Sequence, residues 1–463
     1  MKQFLCRPGS KIHFQYRANI TLAEAQDQQL NVLALLDQGM YETANNARGV
    51  LAASRNELRV VELFSGAGGM GLGFLMSSSE KTACRIVHTS ECDPICIKSI
   101  FTNYSYWKEH AKVLINEPFP SEIAPTDLST AIGRESVVSQ VQRYGGVDIL
   151  IGGPPCQGFS QANRNSWSPN NPYNKLVNNF IELAIALNPK VILMENVQGI
   201  LWTPRSNHHE NKLGVVEHIT RKLAKTGYVL FPSVLDAAWY GVPQHRNRFF
   251  LLALDQSLGY TEDSFGNWGP FPFPTHGPIT TQKFVTVRDA ISDLPKVENG
   301  EGRLFQDYKN PRQQDLALNV FLNEAREFSQ PGVIEGHIVS KQADYVLERY
   351  KNIPEGGNWS DIQHMMTNYS KLERTHSNIY RRLKWDEPSI TIGNYRKSML
   401  IHPAQDRGLS LREATRLQSF PDWFVFCGVA TKRGTTLMHK QQQLANAVSF
   451  LLIKAIAKYI LTL

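Results

Sequence analysis

A few short stretches concentrate the side chains able to make and break bonds. In "GGPPCQGFS" (Gly152 to Ser160), Cys156 follows two prolines, which stiffen the approach to the thiol and supply no backbone donors. The polar loop "QGFSQANRNSWSPNNPYN" that follows suits a nucleophile closing over a substrate. An inert buried thiol is the competing reading, and the polarity of the loop counts against it. "VILMENV" sets Glu195 and Asn196 at the end of an apolar run. A carboxyl there can act as a general acid if burial raises its pKa; a plain strand-ending turn is the alternative. In "YGVPQHRNRFFLL", Gln244, Arg246 and Arg248 alternate and so share one face of a strand. Arginines on an apolar strand invite an anionic or carbonyl partner, or else a structural ion pair. His245 faces the other way and has no assigned role. The turn "FSGAGG" (Phe64 to Gly69) suits a backbone that approaches a ligand closely, although any tight turn uses glycines. Glu91 in "TSECDP" stands after the next apolar run, where an acid hydrogen-bonds ribose hydroxyls in such sheets. There is no GxxxxGKS/T. A nucleoside-containing cofactor is therefore indicated, rather than a nucleoside triphosphate.

The elements that must position these residues show in the spacing. "RIVHTSEC", "VDILIGGPP", "KVILMENV", "YVLFPSVLDA" and "RNRFFLLAL" are too short for comfortable helices and are bounded by Gly, Pro or Asn. They alternate with segments such as "LVNNFIELAIALNP", which indicates βαβ units and a mainly parallel sheet. Ligands sit at the carboxyl edge of such a sheet, where the glycine turn, Cys156 and Glu195 all fall. The texture shifts to Gly, Pro and aromatics around 255–281, a boundary, and no clear period runs from there to about 395. A final helix is expected over "QLANAVSFLLIKAIAKYIL". Residues 1–55 read as a helical, Ala/Gln-rich preface with a capping box at Thr21 and Glu24. Its helix–Gly–helix stretch "LALLDQGMYETANNARGVL" loosely matches a helix-turn-helix, beside the plainer reading of a packing extension.

The 463 residues imply two or three compact units. With 42% hydrophobic and 20% charged residues, the composition is that of a soluble globular protein. Six cysteines with no CxxC pair argue against a disulfide framework and against a zinc site; no metal is expected. The N-terminus is too polar for a signal peptide and no apolar run approaches membrane-spanning length, so a cytoplasmic protein is expected. The net charge of +7 is uneven: residues 255–380 carry 12 Lys/Arg against 17 Asp/Glu, and residues 381–463 carry 13 against 5. The basic last segment is compatible with contact to phosphates, or with a solvated face.

Taken together, "VVELFSGAGGMGLGF", "GGPPCQGFS", "MENVQGI", "YGVPQHRNRFF", "LREATRLQSFPD" and "QQQLANAV" resemble, in order, the motifs of the DNA (cytosine-5)-methyltransferase family. The likeness covers most of 57–254 and 381–463, and "TVRDAISDLP" and "IPEGGNW" look like features of bacterial restriction-modification members. It implies an α/β fold: a Rossmann-like S-adenosylmethionine-dependent methyltransferase sheet with a smaller target-recognition domain. The expected division is a 1–55 extension, a 56–275 catalytic domain, a 276–395 recognition domain and a 396–463 segment returning to the catalytic domain. The implied reaction is methyl transfer from S-adenosylmethionine to C5 of a cytosine flipped out of double-stranded DNA. Cys156 would add to C6, Glu195 would hold a proton at N3, and Arg248 would contact O2 with Arg246 and Gln244 in support. Phe64, Gly66, Gly68 and Gly69 would surround the cofactor, Glu91 would bind its ribose and Asp127 its adenine, and Asn446 and Val448 would reach it from the C-terminal helix. The loop 157–175 would close over the base, with Ser160 and Arg164 touching phosphates.

The family also implies a monomer in the bacterial cytoplasm, working on nucleoid DNA beside a separate restriction endonuclease, with no membrane partner. Four positions depart from its pattern: Ala445 for Gly, Ser449 for Pro, Leu411 for Pro and Tyr173 for Arg. Two other readings compete. The first is the same chemistry on tRNA, whose enzymes typically carry Cys-Phe-Thr where this chain has "EPSITI". The second is a non-catalytic relative, which would lack the thiol or the Glu-Asn-Val retained here.

Overall fold

Short runs rich in Val, Ile, Leu and Phe make strands because branched side chains pack well on a pleated surface. In a computed structural model, residues 3–5, 15–17, 57–79, 81–111, 113–155, 172–201, 215–278, 280–307, 319–368, 378–430 and 435–463 are described. The first strands, β1 (Gln3–Leu5) and β2 (Gln15–Arg17), pair antiparallel. This corrects the helical expectation for those residues of the preface, where Phe4 and Tyr16 favour strand. The Thr21–Glu24 capping box and the helix–Gly–helix stretch lie outside the described residues.

The main sheet contains β3 (Glu57–Leu63), β4 (Ala83–Ser90), β5 (Ile149–Gly152), β6 (Val191–Val197), β7 (Tyr228–Asp236) and β8 (Asn247–Asp255), in the order β4-β3-β5-β6-β8-β7. The four strands β4, β3, β5 and β6 are parallel neighbours, whereas β8 runs antiparallel to both β6 and β7. Alternate residues feed two cores. Val60, Ile149, Ile151, Val191, Leu193, Phe250 and Leu252 face one. Val61, Leu150, Ile192, Met194, Phe249 and Leu251 face the other.

On the first face lie α1 (Gly69–Leu75) and α2 (Pro94–His110). On the second lie α3 (Ala131–Arg143), α4 (Pro172–Leu187) and α5 (Val215–Ala224). In α4, Val177, Phe180, Ile181 and Ala184 bury one stripe at helical spacing. Beyond the main sheet, a two-stranded antiparallel sheet of β9 (Gly302–Asp307) and β10 (Val333–Ile338) accompanies α6 (Val287–Ile291), α7 (Val320–Arg326), α8 (Asp344–Lys351) and α9 (Tyr395–Ser398). A small cluster around Tyr350, Ile362 and Tyr380 has its own packing, while Val287, Phe321 and Ile392 join the first core.

The chain returns to the first face through α10 (Leu411–Leu417), α11 (Thr436–Asn446) and α12 (Phe450–Ile460). The single final helix expected from the sequence is thus two helices. Arg246 Nη2 donates to the carbonyls of Ala445 (3.0 Å) and Ala447 (2.8 Å), and the backbone at Ala447 and Ser449 is extended. The departures from the family pattern have simple placements: Leu411 takes the first helical position after the Ser410 cap, where proline is merely favoured, and Ser449 precedes α12. The Tyr173 side chain lies outside the described residues. By length and composition alone Thr436–Ile460 could span a membrane, but half of it is buried in the protein.

α12 docks so closely on α1 that a Cβ on Gly73 would stand 2.6 Å from Ile453 Cγ2. Gly73→Ala is therefore expected to cost about 1–3 kcal/mol through overpacking. Adding Ile453→Ala should recover part of that loss, and a denaturant double-mutant cycle reads the coupling. Purely additive losses would show that the two sites do not meet.

Candidate active site

The carboxyl ends of the parallel strands open onto one cleft of about 850 Å³. β3 contributes Phe64, Ser65 and Gly66, β4 contributes Ser90 and Glu91, β5 contributes Gly153 to Pro155, and β6 contributes Glu195 to Val197. Because β8 is antiparallel, its beginning lies at this edge: Arg248 pairs in register with Val197. The far wall comes from α11 and the turn after it, through His439, Gln442, Asn446 and Val448.

Glu195 and Arg248 meet on the floor, with Nε 3.1 Å from Oε1 and each side chain about a tenth exposed. Burial pushes the Glu195 carboxyl above its ordinary range, against the opposing charges of Arg248 and Arg246. Space beside it is tight, since a Cβ on Gly153 would stand 3.0 Å from Glu195 Oε2. Asn196 Nδ2 donates to the Pro154 carbonyl at 3.2 Å, tying the end of β6 to the proline pair that leads into Cys156. Cys156, Ser160 and Arg164 themselves lie outside the described residues.

Gln244 and Arg246 are fully buried and do not line the cleft. Gln244 Nε2 donates to the Leu417 carbonyl, and its Oε1 accepts from Ile392 N. Arg246 adds the Ile392 carbonyl (2.7 Å) to those of Ala445 and Ala447. Both hold the wall in place, so of the three alternating residues only Arg248 reaches the cleft. His245 pairs with Asp236 at 2.8 Å, away from it.

The other sequence candidates divide in the same way. Phe64, Gly66, Gly69, Glu91, Asp127, Asn446 and Val448 line the cleft. Gly68 packs behind it, its carbonyl accepting from the Tyr104 hydroxyl at 3.0 Å. Phe64 has a φ of 56°, strained for a non-glycine residue at the mouth of a site. The Glu91 carboxylate accepts from the amides of Gly66 (2.8 Å), Cys92 (2.8 Å) and Asp93 (2.9 Å), which fixes it at the rim. Sequence reasoning missed the far side of this rim, where His439 Nε2 bonds Asp93 Oδ2 at 3.1 Å. The spacing of 439, 442 and 446 on one helical face was the available signal.

These residues fit a nucleoside linked to an amino acid. Nothing lies within 4 Å of where a Cβ on Gly66 would stand, so the turn leaves room for close approach. Two carboxylates, Glu91 and Asp127, face the same space as acceptors for hydroxyl and amino donors. No cluster of metal-ligating side chains occurs among the described residues.

Residues 58–462 match the model of the family described as C-5 cytosine-specific DNA methylase. The chain is 27% identical over 418 residues to the type II methyltransferase M.DdeI of Desulfomicrobium norvegicum, covering 87% of this chain and 88% of that one. It is 29% identical over 406 residues to the type II methyltransferase M1.HphI of Haemophilus parahaemolyticus, covering 87% of each. Its fold matches the crystal structure of a prophage-encoded E. coli protein assigned as a DNA modification methyltransferase, with a TM-score of 0.61 at 24% identity over 87% of this chain and 98% of that one.

Proposed function

Because the chain belongs to the C-5 cytosine-specific DNA methylase family, we propose that the cleft holds S-adenosylmethionine beside a cytosine swung out of duplex DNA, with Cys156, Glu195 and Arg248 carrying methylation at C5. The observation behind this reading is the buried Glu195–Arg248 pair, at the edge where Pro154 and Pro155 lead into Cys156. When bound, S-adenosylmethionine supplies an electrophilic methyl group.

Cytosine C5 is a weak nucleophile, so the Cys156 thiolate first adds to C6 and gives C5 enamine character. The Glu195 carboxyl, kept towards its protonated form by burial, places its proton at N3 as charge develops there. Arg248 faces O2 and spreads the same charge. After methylation, loss of the C5 proton and departure of the Cys156 thiolate restore the ring. Such chemistry needs the base outside the stack, where the loop 157–175 would close over it with Ser160 and Arg164 on phosphates.

Phe64, Gly66 and Gly69 shape the cofactor end, backed by Gly68. Glu91 accepts from ribose, Asp127 from the adenine amino group, and Asn446 and Val448 close the wall. Gln244 and Arg246 act as positioning residues. Residues 276–395 form the target-recognition part. A bacterial cytoplasm, with a restriction endonuclease as a separate protein, is the setting that suits this reading.

The test is transfer of a labelled methyl group to duplex DNA, with tRNA in parallel. C5-methylcytosine in DNA is expected for the wild type and none for Cys156→Ser. Label confined to tRNA, or label retained by the serine variant, would overturn the reading.

A further inference from the structure

Within β4, His88 is buried on the side that packs against α3. Its Nδ1 lies 2.8 Å from Gln140 Oε1 and its Nε2 lies 2.7 Å from Ser90 Oγ, so both ring nitrogens are used. Ser90 ends β4 at the cleft, where its carbonyl accepts from Ser65 twice, from N at 3.1 Å and from Oγ at 2.9 Å. The next residue extends the joint. The Glu91 carboxylate takes the Gly66 amide, and the Glu91 carbonyl accepts from Thr126 N at 2.7 Å, beside Asp127. The glycine turn and the Asp127 turn therefore both hang from Ser90 and Glu91.

The protons fix the direction of this chain. Gln140 Nε2 donates to Ser136 Oγ at 3.3 Å, which leaves Oε1 towards His88, and an amide oxygen only accepts. Nδ1 must therefore carry the ring proton. Burial pushes the His88 pKa down to about 4, with the Gln140 bond opposing, so the ring is neutral at pH 7 and Nε2 is a bare acceptor. The Ser90 hydroxyl then donates to Nε2, and its rotamer is set. A buried imidazole with both nitrogens satisfied costs little, whereas an orphaned nitrogen is expensive. Each member is thus held by the next, from α3 through the ring to the end of β4.

We propose that His88, oriented by Gln140, is a positioning residue for the cofactor: it holds Ser90 where one carbonyl takes both Ser65 donors, and so sets the spacing between the glycine turn and Asp127. His88 does not line the cleft, so it acts only through Ser90 and what hangs from it. Those residues belong to the cofactor end. Glu195 and Arg248, on β6 and β8, lie outside the chain of bonds that His88 controls. A role in packing alone predicts otherwise: a carbon side chain filling the same space would then serve as well.

The proposal rests on the cleft being the S-adenosylmethionine site. Its test is methyl transfer by the full chain with cofactor and then DNA varied, beside calorimetric binding of S-adenosylhomocysteine, the demethylated product. His88→Leu, which fills the space and accepts nothing, is expected to raise the KM for S-adenosylmethionine about tenfold, the worth of one good hydrogen bond. Its kcat and its KM for DNA should stay within about twofold of wild type, since neither the acid nor the base contact moves. His88→Gln can donate to Gln140 and accept from Ser90 through one amide, and should bring the cofactor KM back to within about threefold. Ser90→Ala, a smaller change, is expected to match His88→Leu, and the double variant to be no worse than either. An unchanged cofactor KM in Ser90→Ala, a fall in kcat as large as the rise in KM, or a glutamine variant as weak as the leucine one overturns the positioning role alone. A wild type that binds no S-adenosylhomocysteine overturns the cofactor reading and the positioning role with it.

Discussion

Glu195→Gln is expected to lower kcat for DNA methylation by about 100- to 10,000-fold, the range that a positioned acid contributes. The amide can still form a hydrogen bond at the cytosine N3 position but cannot place a proton there. Glutamine is nearly the same size, so the contact with Gly153 and the floor of the cleft should survive. Cofactor affinity should stay within about threefold of wild type, because the loss falls on the chemical step rather than on binding. The pH profile gives a second readout. Burial raises the Glu195 pKa, so its protonated form persists to higher pH than an ordinary carboxyl, and this contribution to the rate fades as pH rises through that value. The glutamine variant should lack that limb. Single-turnover rates within threefold of wild type would sink the assignment.

The largest effect on stability is expected at Asp422→Ala, a loss of about 3–5 kcal/mol, as when one partner of a buried ion pair is removed. Asp422 accepts from Arg416 Nε (2.8 Å) and Nη2 (2.7 Å), with Arg412 at 3.7 Å and Arg326 at 3.9 Å. Arg416 also bonds Asp293 at 2.5 Å and the Ala290 carbonyl, so the network ties α10 to the end of α6. Without the carboxylate, buried guanidinium groups would share too little negative charge. Burial alone would raise the Asp422 pKa, but the surrounding arginines overcome it and hold the group low. Glu413 behaves alike: burial pushes it up, and Arg407 brings it down to about 2. Stability from these lowered carboxyls is fully present above their unfolded values and is lost as pH falls from about 4 towards 2. Denaturant melts at neutral pH, followed by an acid series, test both points. A loss below about 1 kcal/mol would show that the site relaxes around the missing charge.

Much of this architecture was legible because strand ends announce themselves. Ser-Gly-Ala-Gly after Phe64, Gly-Gly-Pro-Pro after Ile151 and Glu-Asn after Met194 each stop an apolar run, and residues of all three stops line the cleft. Strand direction was not legible: alternation reads the same forwards and backwards, so the antiparallel course of β8 had to come from the structure. Nor was the break at 447–449, since Ala-Val-Ser contains no helix breaker. Its cause is Arg246, distant in sequence, which claims two carbonyls of that turn. His88 did leave a mark, as a lone histidine within "RIVHTSEC", but a single polar residue beside a motif does not show that it is buried.

The Arg246 clasp also governs when the enzyme can exist during its own synthesis. The glycine turn at 64–69 is made early, yet the wall opposite it is supplied by residues 439–448 and fixed by carbonyls at 445 and 447. Contacts so distant along the chain must close a long loop, at a cost in entropy that slows folding. A chain that ends before residue 439 therefore has one side of the cleft and leaves Arg246 without the two carbonyls that fix the other.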